Sequence, residues 1–174
     1  MNRWNKIFKP VVVLSVICII ITGALAATNR ITAPMIEQAT RQAQERARKE
    51  LVPDAVTFTP VEGIEAENVS EIYRSDNGYT VVTCSAKGYG GPITVMVAFT
   101  PEDRIGQIKI TQQSETQGLG SKIVSDPDFQ PSFSGLPAEP FEVSDIDAIS
   151  GATISSKAVT AAVNAAIGAY GQIN

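Results

Sequence analysis

The chain has 174 residues, 44% of them hydrophobic, with 14 basic and 18 acidic side chains, a formal net charge of −4 and no histidine. That length holds one domain plus attachments, and the apolar content suffices for a packed core. The acidic balance argues against a nucleic-acid partner. Two well-separated cysteines without histidine cannot supply a zinc or iron–sulfur ligand set from this chain alone.

Arg3, Lys6 and Lys9 precede an uncharged apolar run, VVVLSVICIIITGALAAT, over residues 11–28. A run of that length meets the roughly 18 residues that mark a spanning helix, so residues 10–29 are predicted to cross a membrane once. Positive charge on the N-terminal side puts residues 1–9 in the cytoplasm and everything after the anchor outside. Ala24-Leu25-Ala26 also has the small-x-small form of a signal cleavage site, but the run exceeds the ~7–15 residues of a signal peptide's apolar region, so a retained anchor is expected. Cys18 then lies in the membrane and Cys84 outside it, and no disulfide joins them.

Thr32-Ala33-Pro34 looks like a helix start, with proline in the first turn. Residues 30–54 are read as a stalk helix that ends near Leu51, before Val52-Pro53-Asp54. Met35, Ala39, Ala43, Ala47 and Leu51 repeat every four residues as a narrow apolar stripe. Glu37/Arg41, Glu45/Lys49 and Arg46/Glu50 are spaced as i,i+4 charge pairs. Such a helix packs lightly on the domain or on a partner, or is simply solvated.

From residue 55 the pattern becomes β. Runs rich in Val, Ile, Thr, Phe and Tyr cover residues 56–59, 71–74, 79–86, 93–99 and 105–111. Asp76-Asn77-Gly78 and Pro101-Glu102-Asp103 are the clearest turns. The expectation is a meandering antiparallel sheet with helices packed against it, an α+β domain over residues 55–174. Gly88-Tyr89-Gly90-Gly91-Pro92 interrupts the sheet, either as a wide hairpin loop or where backbone approaches something closely.

Glu115-Thr116-Gln117-Gly118-Leu119-Gly120-Ser121-Lys122 follows the last strong strand and suits a close-packed turn. It is not a P-loop, because Lys follows Ser where a Walker motif has Lys before Ser or Thr. Glu115 and Lys122 can also be read as solvated charges. Residues 123–140 are poorly patterned. A short helix over residues 121–124 and loose packing of Phe129 and Phe133 are expected there, then a last short strand within residues 141–149.

Asp147-Ala148-Ile149-Ser150-Gly151-Ala152-Thr153-Ile154-Ser155-Ser156 places hydroxyls and small residues directly before a strong helix. That helix runs through Lys157 to about Tyr170, with Val159, Val163, Ala166, Ile167 and Tyr170 on one apolar face. A helix start presents unpaired N–H groups and the positive end of the macrodipole, worth roughly 0.3–1 kcal/mol to a phosphate held there. Ser and Thr in this position more often serve as N-caps.

The segment Asp147-x-x-Ser150-Gly151-Ala152-Thr153 resembles the flavinylation motif of the FMN-binding domain family, which includes the G subunit of Rnf-type electron transport complexes and the C subunit of sodium-translocating NADH:quinone reductases. The run Gly88–Val97 resembles the family's strand after its Gly-rich loop. The turn at Glu115 resembles its E-T-P-G-L-G loop, with Gln117 in place of proline. The resemblance implies FMN joined by a phosphoester to Thr153 and installed by a separate flavin transferase that recognises Asp147, Ser150, Gly151 and Ala152. The absence of histidine favours such an outside enzyme over self-attachment. It further implies that Glu115, Thr116, Gly118, Leu119 and Gly120 line the flavin, with Leu119 against the ring, and that Glu115 and Lys122 tune its potential.

By the same resemblance the chain is an electron-carrying membrane subunit, partnered by the other subunits of an Rnf-type complex that moves electrons between ferredoxin and NAD and couples this to ion transport. The equivalent quinone-reductase subunit is the alternative within the family. An extracellular flavin-binding sensor module is the alternative outside electron transport.

Overall fold

The computed structural model describes residues 8–64 and 66–173. Arg3 and Lys6, on which the expected topology partly rests, lie outside the described residues. The chain divides into two compact units after Ala43. One helix, α1 (Lys9–Leu51, 43 residues), begins in the first and ends in the second.

Within the first unit α1 is long and apolar enough to cross a membrane, and Val11, Leu14, Ile19 and Ile20 are exposed along it. The Thr28 and Thr32 hydroxyls donate to the carbonyls of Ala24 and Thr28, at 2.9 and 3.0 Å, so both are satisfied inside the helix. The helix start expected at Thr32-Ala33-Pro34 is absent: Pro34 sits within α1. Its fixed φ is already helical, and it costs one backbone hydrogen bond in a helix with many turns on either side. Glu37 and Arg41 form the expected pair at 2.6 Å.

The second unit is a three-layer α+β domain. Its sheet is a simple meander in the order β1-β2-β3-β4-β5, all neighbours antiparallel. The strands are β1 (Phe58–Pro60), β2 (Val69–Ser75), β3 (Thr80–Lys87), β4 (Pro92–Phe99) and β5 (Ile105–Gln112), each within about two residues of its predicted position. Alternation sends Val82, Cys84, Val95 and Val97 to one face and Val81, Met96 and Ala98 to the other. The first face carries the larger core, closed by α3 (Thr153–Tyr170), whose Val159, Val163, Ala166, Ile167 and Tyr170 are all buried.

The second face is covered by the end of α1. Ala47 and Leu51 pack there with Val52 and Ala55, whereas Met35, Ala39 and Ala43 are exposed, so only the last part of the stripe is core. Arg48, buried between them, lies 3.8 Å over the Tyr73 ring and 3.6 Å from Glu71. Glu50 pairs with Lys109 of β5 rather than with Arg46.

Two expectations fail after β5. Phe129 and Phe133 are not loosely packed but fully buried, edge to face with ring centroids 5.5 Å apart. Their segment follows the short α2 (Lys122–Ser125) and lies along the outer edge of β5, where Ile105 exchanges backbone hydrogen bonds with Gly135 and Leu136. Covering that edge satisfies its free backbone groups and directs both rings inward. Residues 141–149 form no strand. They make a single 3-10 turn, Val143–Asp145, capped reciprocally by Glu142 and Asp145, and the backbone of Phe141 is satisfied not by a strand but by the Asn164 side chain of α3, which accepts from its N–H at 3.2 Å and donates to its carbonyl at 2.8 Å.

Candidate functional site

Three segments meet at the N-terminal end of α3: the β3–β4 loop, the turn after β5, and the first turn of α3 itself. Between them lies a cavity of about 390 Å³ lined by Tyr89, Glu115, Thr116, Leu119, Gly120, Gly151, Ala152, Thr153, Ile154 and Ser155. Tyr89 is 73% exposed, and Leu119 and Ile154 are each 55% exposed. Three large apolar side chains thus stand unburied around one opening, one from each segment. A folded domain scatters such residues singly unless a surface binds something.

The start of α3 is bare. Its N-cap position is Ala152, which has no side-chain cap to offer, and Thr153 is the first helical residue. Thr153 was expected just ahead of the helix; it lies inside the first turn because Gly151, at φ +81°, turns the chain sharply into the helix. The hydroxyls that follow differ in their surroundings. Ser155 is buried and donates to Glu115 Oε2 at 2.5 Å, and Ser156 is buried with its Oγ accepting from the Ile149 N–H at 3.3 Å. Thr153 is exposed, and its hydroxyl has no partner among the described residues.

Glu115 is buried. Its Oε1 accepts from the Gly90 N–H at 3.0 Å while Oε2 takes the Ser155 hydroxyl, so both oxygens are engaged within the chain. The Gly118-Leu119-Gly120 turn is closed by backbone bonds from Leu119 and Ser121 to the Thr116 carbonyl, and Gly118, at φ +79°, donates to Ser121 Oγ at 2.9 Å. The turn therefore holds its shape with Gln117 where the family has proline.

Not every site residue singled out from the sequence faces this opening. Glu115, Thr116, Leu119, Gly120, Gly151, Ala152 and Thr153 do; Asp147, Ser150 and Lys122 instead line a neighbouring cavity of about 650 Å³ with Asp126 and Asp128, and Gly118 lines neither. Tyr89, Ile154 and Ser155 were not singled out as site residues. Tyr89 carried a signal, being the one large side chain among three glycines, whereas Ile154 and Ser155 read as ordinary first-turn positions.

Residues 88–168 match the FMN-binding domain family, and residues 1–51 match the RnfG N-terminal region. The G subunit of the Na(+)-translocating ferredoxin:NAD(+) oxidoreductase complex of Acetobacterium woodii is 32% identical, covering 96% of this chain and 93% of its own length. The G subunit of the proton-translocating ferredoxin:NAD(+) oxidoreductase complex of Clostridium ljungdahlii is 34% identical, covering 94% and 91%. The G subunit of the ion-translocating oxidoreductase complex of Methanosarcina acetivorans is 32% identical, covering 96% of each. With a likeness that spans nearly its whole length and includes both loops of the cavity, the chain belongs to the family of G subunits of ion-translocating oxidoreductase complexes.

Proposed function

We propose that the chain is the electron-carrying subunit of an Rnf-type ferredoxin:NAD oxidoreductase complex and holds FMN at the cavity beside α3, through a phosphoester to the Thr153 hydroxyl. The residues present fit such a group. A cavity of about 390 Å³ lies within the roughly 300–1,000 Å³ usual for small-molecule sites. Tyr89, Leu119 and Ile154 would hold the apolar ring, and the uncapped first turn of α3 would face the phosphate. Bound FMN supplies a carrier that takes one or two electrons.

One observation carries the choice of residue. Among the hydroxyls of residues 153–156, Ser155 and Ser156 are buried and hydrogen bonded, while Thr153 is exposed and has no partner among the described residues. A flavin transferase must reach the oxygen it modifies, and Thr153 is within reach. Asp147 and Ser150, both exposed beside the neighbouring cavity, supply the surface that this enzyme recognises. The positive charges at Arg3, Lys6 and Lys9 favour a cytoplasmic N-terminus with the flavin domain outside. There a covalent bond prevents loss of a cofactor that cannot be replenished by diffusion.

Coexpression with a flavin transferase is expected to give a chain that fluoresces after denaturing electrophoresis and is heavier by one esterified FMN, with the label on the peptide containing Thr153. Thr153→Ala is expected to abolish both signals. Protease added outside intact spheroplasts should release the fluorescent domain. A labelled Ser155 or Ser156 would overturn the residue assignment, and an unmodified wild-type chain from its native membrane would overturn the function.

A further inference from the structure

We infer that Glu115 is a positioning residue whose carboxylate ties together the three segments bearing Tyr89, Leu119 and Ile154 and so sets the width of the flavin cavity; the inference rests on the flavin reading above. Each arm of the tie ends beside an exposed cavity residue. Oε1 holds the Gly90 N–H at 3.0 Å, next to Tyr89, and Oε2 holds the Ser155 hydroxyl at 2.5 Å, next to Ile154. Leu119 belongs to the turn that Glu115 itself begins.

The glycines around the carboxylate fit this role. A Cβ on Gly88 would collide with Oε1, and a Cβ on Gly120 would collide with Oε2 and lie 2.6 Å from Ser155 Oγ. A Cβ on Gly90 would run into the Ser114 carbonyl. Backbone from two separate loops is thus pressed against one side chain, which only residues without a Cβ allow. An ionised carboxylate is an acceptor only, and a buried one needs donors. Here it finds them on the β3–β4 loop and on α3, 25 residues before it and 40 after it. With one donor on each oxygen, Glu115 acts on a ligand through the walls it fixes.

The test uses the intact chain, flavinylated by coexpression and held in detergent. In the wild type the flavin should depolarise only with tumbling of the whole protein. In Glu115→Ala the released walls should let it move on the ps–ns scale of free side chains, seen as a fast component in time-resolved fluorescence anisotropy. Ser155→Ala removes one arm and should show a smaller fast component. Glu115→Gln keeps an acceptor for Gly90 and can donate to Ser155 Oγ, so it should stay close to the wild type. Amide exchange on the chain without flavin gives an independent readout: the Gly90 amide should exchange at least about tenfold faster in Glu115→Ala, the lower bound for loss of one charge-assisted hydrogen bond.

An immobile flavin in Glu115→Ala, with Gly90 exchange unchanged, would overturn the inference. If Glu115→Ala does not fold, wild-type anisotropy in Ser155→Ala would overturn it just as well. A wild-type chain that accepts no flavin would sink the functional reading instead, leaving the exchange measurement to decide the role of Glu115.

Discussion

At its C-terminal end α3 closes against large side chains: Tyr170 stacks on Phe99 with ring centroids 4.3 Å apart, and its hydroxyl donates to Asp103 at 2.7 Å. At its N-terminal end the same helix opens onto Gly151 and Ala152 and leaves Thr153 exposed. The buried face between them, Val159 to Ile167, locks the helix axis onto the sheet. The contrast shows where each property resides. Packing at the far end and along the middle fixes the helix, so the near end needs no cap, no large side chain and no tertiary contact from Thr153 to stay in place. Substitutions at the closed end should therefore alter stability, and those at the open end should alter what the domain carries.

The largest expected effect is at the closed end. Phe99 is fully buried, and Phe99→Ala both empties its volume and removes the ring on which Tyr170 stacks. Loss of a buried aromatic costs about 3–5 kcal/mol. Denaturant unfolding of the detergent-solubilised chain, followed by circular dichroism, should show a midpoint lowered accordingly with little change in slope. A loss under about 1 kcal/mol would mean that the closed end does not hold the helix.

Cys84 of β3, in the core that α3 closes, gives a pH-dependent probe of the same face. Burial pushes its thiol up to about 12, opposed by a backbone hydrogen bond to Ala166, and its Sγ donates to the Val95 carbonyl at 3.3 Å. The folded-state pKa is raised, so the contribution is fully present below the ordinary thiol value of 9.0. Above that the unfolded chain sheds its proton while the folded chain keeps it. Stability then falls by about 1.4 kcal/mol per pH unit until the folded thiol also ionises. Lysines and tyrosines titrate in the same window, so the difference between wild type and Cys84→Ala isolates the thiol. A difference that stays constant from about pH 9 to about pH 11 would show that the face admits solvent.

The closed end was far more legible in the sequence than the open one. Helical spacing from Val159 to Tyr170 marked the buried face because a helix writes its core side at a fixed period, and the five strands followed from alternation and turn residues. Phe129 and Phe133 were misjudged because they pack through an irregular segment that has no period to read. The charge pairing of Glu50 and the continuity of α1 through Pro34 were hidden for related reasons. The first depends on a residue of β5, far along the chain, and the second depends on tolerance of one lost hydrogen bond. At the open end the motif was readable from Asp147 to Thr153. Its division between two neighbouring cavities was not, nor was the tie from Glu115 to Gly90 and Ser155. Those contacts join segments 25 and 40 residues apart, and each partner reads locally as an ordinary turn or helix residue.

Gly151→Ala should give the smallest stability change of the set, although it falls within the motif. A Cβ there meets nothing within 4 Å, so the cost comes only from holding alanine at φ +81°, about 1–2 kcal/mol. That corresponds to a drop of a few degrees in Tm for a domain of this size. The effect on flavin loading should be large by comparison, because the strained residue can relax only by turning the chain differently just before Thr153, whose exposed side chain has no hydrogen bond among the described residues to resist the change. Parallel measurement of Tm and of FMN incorporated per chain separates the two quantities. A variant that loses several kcal/mol yet loads normally would reverse the contrast between the helix ends, since it would place fold-determining contacts where the structure shows open space.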